Sequence, residues 1–377
     1  MTDFLPSQLL SLQTIIGFGI TSAVISVAWA PLLIKFLRRF KIARKINGDF
    51  TAAIEGRETK TNTPIMGGLL VIVTVLALTY FFNWDRRFTW VPIGVMLLSA
   101  ALGAIDDLLN VFGGERRQRS LSQTRTLIRV HKNILYRIWL VITFPWTIFK
   151  RAVTIFGSKQ KTGVLVHEKL LLQFTAGAIA AWWIYFKLGD TWKDIYIPFF
   201  GFSSIDAWII PLIMFVVVFT ANAVNISDGM DGLAGGMLIP TFAGMGFLSW
   251  VSGYDSIAIL DATAAGALIT YTYFNVKPAR FQMGDVGSLG VGGLLAINAL
   301  ATNSMAILPF IAFMFYVEAA TVIIQSIGRH IFGRRIFRMA PLHHHLELIG
   351  WSEEKTIMRL WIIHLGMVMI GVWIGLH

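Results

Sequence analysis

The chain has 377 residues, of which 55% are hydrophobic and 14% charged, with a mean hydropathy of +0.66 and a formal net charge of +11. Soluble domains carry roughly a quarter of charged residues, and a disordered chain needs low hydrophobicity, so both classes are excluded. The absence of cysteine removes disulfides, thiolate catalysis, iron–sulfur clusters and thiolate zinc sites, and any metal must sit on oxygen or imidazole ligands.

A hydrocarbon core about 30 Å thick takes about 20 apolar residues of helix. Ten stretches approach that, near 11–37, 65–83, 90–106, 170–187, 207–224, 232–251, 257–274, 286–302, 306–327 and 357–376. The first is expected to persist as an anchor, because the first twelve residues lack the positive region of a signal peptide. No run alternates as a membrane barrel requires. The fold class is therefore all-α: a polytopic integral membrane protein of about ten transmembrane helices, in a single domain over residues 1–377. Lys and Arg accumulate on the cytoplasmic side, and ten spans that start outside leave only Arg86, Arg87, Lys187 and Lys193 in external loops. Both termini are then external. The internal segments run over 38–64, 107–169, 225–231, 275–285 and 328–356.

Residues 134–149 (ILYRIWLVITFPWTIF) are apolar but short, and they hold Arg137 and Pro145. A crossing there would invert everything downstream, so this piece is predicted to be interfacial or re-entrant. It lies in a basic insertion, 115–161, with eleven Lys or Arg against Glu115 alone. Positive-inside topology and attraction to anionic membrane lipid account for that charge more readily than substrate contact does. No nucleic acid partner is expected.

An acidic side chain at the centre of a membrane helix costs about 2.5–3.5 kcal/mol on insertion scales, so acids that survive there are functional candidates. Four polar groups fall at the inner ends of the predicted spans. Asp106 and Asp107 close the third span in GAIDDLLN; successive helical residues point about 100° apart, so the two should differ in role. In NAVNISDGMDGLAGG, Asn222, Asn225, Asp228 and Asp231 recur every three residues, which aligns them if the segment is helical. In FNVKPARFQMGDVGSLGVGG, Asp285 precedes Gly287 and Ser288 at a helix start, where free N–H groups favour a phosphate. In APLHHHLELIGW, His343, His344 and His345 cannot all meet one ion in a regular conformation, but imidazoles can donate to phosphate oxygens or a leaving group. A fifth feature, KTNTPIMGG, places Lys60, Thr63 and glycines before the second span, which fits an anion contact without the order of a P-loop. Carboxylates, amides, histidines and a lysine at one cytoplasmic level suggest a divalent cation handling phosphates. Magnesium fits best, as a hard ion that bridges carboxylates to phosphate.

These motifs, with IDD and RIFRMAPLHHHLELIGW, occur in an order that resembles the phospho-N-acetylmuramoyl-pentapeptide transferases, within the polyprenyl-phosphate N-acetylhexosamine-1-phosphate transferase superfamily, over most of the chain. The resemblance implies a Mg²⁺-dependent enzyme of the bacterial cytoplasmic membrane with its active site facing the cytoplasm. It implies transfer of phospho-MurNAc-pentapeptide from UDP-MurNAc-pentapeptide to undecaprenyl phosphate, giving lipid I and UMP for peptidoglycan, and it carries a homodimer as an expectation. It assigns catalytic roles to Asp106, Asp107, Asp285, His343 and His344, and the metal to Asp285 with Asp228. Substrate contacts fall on Lys60, Thr63, Lys169, Asn225, Asp228, Asp231, Asn275, Gln282 and His345. Asn110 stands where the family has lysine, and Gln282 where it has a phenylalanine under the uracil, with Phe281 beside it. Two other readings are a sugar-1-phosphate transferase using UDP-GlcNAc, against which the histidine run argues, and a transporter, which predicts polar groups at mid-bilayer. Direct attack by the lipid phosphate and a two-step route through an aspartyl intermediate both remain open.

Overall fold

The computed structural model describes residues 4–43, 63–114, 121–149 and 164–377. Lys60 and residues 115–120 and 150–161 of the basic insertion lie outside the described residues. The helices are α1 (Phe4–Arg39), α2 (Leu69–Phe82), α3 (Trp90–Phe112), α4 (Leu121–Val130), α5 (Ile134–Ile142), α6 (Val166–Trp183), α7 (Ile209–Ser227), α8 (Leu233–Val251), α9 (Asp255–Asn275), α10 (Gly284–Ala301), α11 (Leu308–Ile311), α12 (Phe313–Ile331), α13 (Leu342–Leu348) and α14 (Glu353–Gly375). Among the described residues, eight helices are long and apolar enough to cross a membrane, and Met305–Ile311 with α12, bent by 84°, brings the number to nine when the pair is taken as one span. The predicted span 65–83 contains only the 14-residue α2, because the chain ahead of it is spent on a loop pairing described below. A short antiparallel hairpin of β1 (Asp194–Ile197) and β2 (Gly201–Ser204) follows α6, in a stretch where the pattern predicts no strand.

Helix α10 is the axis of the bundle. Its apolar window is 89% buried, against 22% for α1 and 28% for α14, which face outward. It packs on α3 and α7, and its run of small residues (GSLGVGG) brings these neighbours close, as dispersion-driven packing in lipid requires. Near its far end Asn298 donates to buried Asp261 on α9 at 2.6 Å, and Ser249 on α8 donates to the same carboxylate at 3.3 Å.

A sharp bend in a membrane helix frees backbone groups that lipid cannot satisfy. At the bend before α12, the Met314 N–H donates to His364 Nδ1 at 3.4 Å, and the Thr241 hydroxyl donates to the Ile311 carbonyl at 3.1 Å. Thr241 Oγ1 and His364 Nε2 are 2.8 Å apart, so α8 and α14 together pin the bend. The near-isosteric Thr241→Val strips these partners, and orphaned buried groups cost about 1–3 kcal/mol. It is expected to lower the thermal unfolding midpoint in detergent; an unchanged midpoint means the bend does not need the pin.

Candidate active site

The C-terminal ends of α3 and α7 meet the N-terminal ends of α6 and α10, and one lysine lies between two carboxylates there. Gly103, one turn before Asp106, lies against the Asp285 carbonyl so closely that a Cβ would overlap it, which draws α3 onto the start of α10. Asp106 is fully buried. One oxygen accepts the Val164 N–H at 2.7 Å, and the other accepts Lys169 Nζ at 3.2 Å. The same ammonium is hydrogen-bonded to Asp285 Oδ2. The other oxygen of Asp285 accepts the Asn225 amide at 2.8 Å, and that amide also reaches Ser288 Oγ at 2.8 Å. The Asp285 side chain is 23% exposed and that of Lys169 12%, so the open side of the cluster lies at Asp285 and Lys169.

Asp107 turns elsewhere, as its neighbouring helical position dictates. Its two oxygens accept the N–H groups of Asp285 and Val286, each at 3.1 Å. These are among the orphan donors of the first turn of α10. A helix start expected from the sequence to be free for a phosphate thus has two of its donors filled by a carboxylate, and Asp107 acts as a cap that fixes Asp285. Residues 64–68 lie alongside: Gln282 N–H donates to the Pro64 carbonyl at 2.8 Å, and Gly67 and Gly68 donate to the carbonyls of Gln282 and Met283 at 2.7 and 2.9 Å. Gly68 packs directly on Gly287, with no room for a side chain. Half-buried Thr63 precedes this pairing.

The three-residue repeat 222–231 is helical only in part, since α7 stops at Ser227 and Asp228 is its C-cap. Asn222 pairs with Gln173 at 2.7 Å, Asn225 holds Asp285, and Asp231 leaves the row to accept the Ala279 N–H at 3.3 Å. Asn275 is buried; it accepts the Gly232 N–H at 2.8 Å and donates to the Phe281 carbonyl at 2.9 Å, so both ends of its amide bind backbone. Phe281 is buried with its ring 5.3 Å from that of Tyr271, while Gln282 is half-buried. Lys277, in the same loop, bridges Glu354 at 2.7 Å and Glu353 at 3.2 Å, and the hydrogen bond to Glu354 raises its pKa above the usual lysine value.

The three histidines point to three partners. His343 is fully buried; its N–H donates to Glu318 on α12 at 3.2 Å and its Nδ1 lies 3.1 Å from Glu318 Oε2. The imidazole packs against Gly229, four residues beyond Asn225, which ties the histidine helix α13 to the end of α7. His344 Nδ1 meets Glu347 at 3.0 Å, and His345 Nδ1 accepts the Arg338 N–H at 3.3 Å. Glu318 is absent from the candidates read out of the sequence, although a lone acid in an apolar run is the signal that marks such residues.

Among the described residues, no group of three or more His, Asp or Glu side chains is arranged to hold a metal ion. A magnesium ion needs only one or two carboxylates, completing its shell with water and substrate phosphate, so a site of that kind falls below this count. Asp106 and Asp285 already aim oxygens at one cation, the Lys169 ammonium.

Residues 161–303, which include Lys169, Asn225, Asp228 and Asp285, match the family model described as glycosyl transferase family 4. The phospho-N-acetylmuramoyl-pentapeptide-transferase of Chloroflexus aurantiacus is 32% identical over 352 residues, covering 91% of this chain and 84% of that protein. The proteins of that name from Caldanaerobacter subterraneus and Levilactobacillus brevis are each 30% identical, covering 94% and 93% of this chain and 96% and 95% of their own length. At that identity and coverage, the chain belongs to the phospho-N-acetylmuramoyl-pentapeptide transferase family.

Proposed function

We propose that this protein transfers phospho-MurNAc-pentapeptide from UDP-MurNAc-pentapeptide to undecaprenyl phosphate, forming lipid I and UMP, with Mg²⁺, at the cytoplasmic face of the bacterial inner membrane. The observation that carries this reading is the Lys169 ammonium held between Asp106 and Asp285 where four helices end. That arrangement holds an ammonium beside a carboxylate that could take a metal ion, at the level where a lipid head group and a soluble nucleotide can meet.

A phosphate monoester has a second pKa of about 6, so the lipid phosphate is largely a dianion at neutral pH and needs little help from a general base. Phosphoryl transfer then rests on positioning and charge neutralisation. An oxygen of the lipid phosphate bonds to the β-phosphorus, the bond to the bridging oxygen breaks, and UMP leaves with that oxygen. Asp106, fully buried with both oxygens engaged, aims Lys169 at the phosphates and is poorly placed to attack phosphorus itself, which supports direct transfer. Asp285, the more open carboxylate, would hold Mg²⁺, with Asp228 at the adjacent end of α7 as a second ligand. Bound there, the ion supplies charge that neutralises the diphosphate in the transition state. His344 and His345, half-buried on α13, stand ready to donate to phosphate oxygens. Glu318 fixes the backbone of their helix through His343.

Reconstituted with undecaprenyl phosphate and Mg²⁺, the protein is expected to consume UDP-MurNAc-pentapeptide and leave UDP-GlcNAc untouched; activity with UDP-GlcNAc alone overturns the assignment. Asp285→Ala and Asp106→Asn are each expected to lower turnover at least about a hundredfold with an unchanged elution profile in detergent, and near-normal turnover removes that residue from the site. Asp107→Ala should differ in kind. Losing a helix cap costs about 0.5–2 kcal/mol, so its thermal midpoint should fall along with its turnover, and a variant as thermostable as the parent contradicts the capping role.

A further inference from the structure

The active site leaves one surface without a role: the segment 121–149, made of α4, α5 and a helical run over 144–149. Asn133 caps α5 by accepting the N–H groups of Leu135 and Tyr136 at 2.9 and 3.3 Å, and Arg137 folds back to donate to the Ile128 carbonyl at 2.6 Å. The result is a helical hairpin. Helix α5 has nine residues, which rise about 13 Å, under half of a hydrocarbon core of about 30 Å, and the helical path breaks at Thr143. It does not cross a bilayer.

Its outward face is apolar all the same. Ile134, Leu135, Ile138, Trp139, Val141 and Ile142, six of the nine residues of α5, are each more than half exposed, while only Leu140 is buried. Arg125, Arg129, Lys132 and Arg137 stand in the same stretch, and residues 121–149 hold no acid. A short helix with a broad apolar face, flanked by cations and lacking acids, matches the composition of a helix that lies in the headgroup region of an anionic membrane. The hairpin also lies at the level of the site. Trp146 packs edge-on against His167 with ring centroids 5.5 Å apart, and buried His167 is two residues before Lys169 on α6.

We infer that the 121–149 hairpin docks on the surface of the membrane's inner leaflet, with the apolar face of α5 in the acyl boundary and its four cations on anionic phospholipid headgroups. This goes beyond the transferase chemistry and stands or falls without it. A full insertion of α5 driven by its apolar face alone would ignore lipid charge; the grouping of the cations argues for the anionic surface.

The chain has no cysteine, so Ile142→Cys offers a single site for a nitroxide at a position 71% exposed. The full-length labelled protein goes into nanodiscs of phosphatidylcholine alone, or of phosphatidylcholine with phosphatidylglycerol, and accessibility to oxygen and to a nickel chelate is read by power saturation. In discs with phosphatidylglycerol the label should be oxygen-accessible and shielded from the chelate, with chelate contact about tenfold or more higher in phosphatidylcholine alone, on the scale set by several cations at a charged surface. Adding Arg125→Gln, Arg129→Gln, Lys132→Gln and Arg137→Gln should abolish the difference. A label as chelate-accessible in anionic discs as a solvated residue, or equally shielded in both lipids, overturns the proposal, and the comparison of lipids on the protein with its native charges decides this even if the quadruple variant does not assemble. Transfer activity is not read in this experiment, so its failure is distinct from failure of the enzymatic assignment.

Discussion

The ion cluster of Asp106, Lys169 and Asp285 is the constraint that organises one end of this bundle. Two carboxylates and an ammonium removed from water are costly unless each lone pair and proton has a partner. Here the Val164 N–H takes the remaining oxygen of Asp106, and the Asn225 amide takes that of Asp285. The partners come from α3, the chain ahead of α6, α7 and α10, so satisfying one cluster fixes how four segments end against one another. Removing Lys169 would leave two neighbouring carboxylates with no cation between them.

Around that cluster the structure spends further polar groups on backbone. Asp107 caps α10, Asn275 clamps the loop 276–283 to the start of α8, and residues 64–68 pair with Gln282 and Met283. These contacts are all made to backbone, and they decide where Asp285 stands. Positioning of this kind is what phosphoryl transfer asks of a protein, because the chemistry needs little beyond alignment and charge. The tie from Gly229 to His343 extends the same logic to the histidine helix, with Glu318 beneath it.

Much of this was legible in the amino-acid sequence, for a physical reason. Apolar runs must match the bilayer, so the ten predicted stretches each hold a helix, and acids at their inner ends carry a cost that demands an explanation. What pattern could not reveal were partners far apart in the chain. Asp107 is 178 residues from the N–H of Asp285 that it caps, so a helix start read as open is occupied. The repeat 222–231 implied one helical face, but a turn of glycines ends α7 at Ser227 and sends Asp231 to Ala279. Lys169, at the head of an apolar run, looks from local sequence like any interfacial lysine; only the resemblance singled it out. Glu318 and Asp261 could have been found from the cost of an acid within a span.

The account turns on the positive charge of Lys169, and the cysteine-free chain permits a direct test of it. Lys169→Cys should be inactive, and aminoethylation of the new thiol, which rebuilds an ammonium at nearly the lysine length, should restore sugar-phosphate transfer to undecaprenyl phosphate, whereas a neutral thiol-capping reagent of similar size should not. An active Lys169→Cys enzyme, or equal recovery with the neutral reagent, would contradict the account.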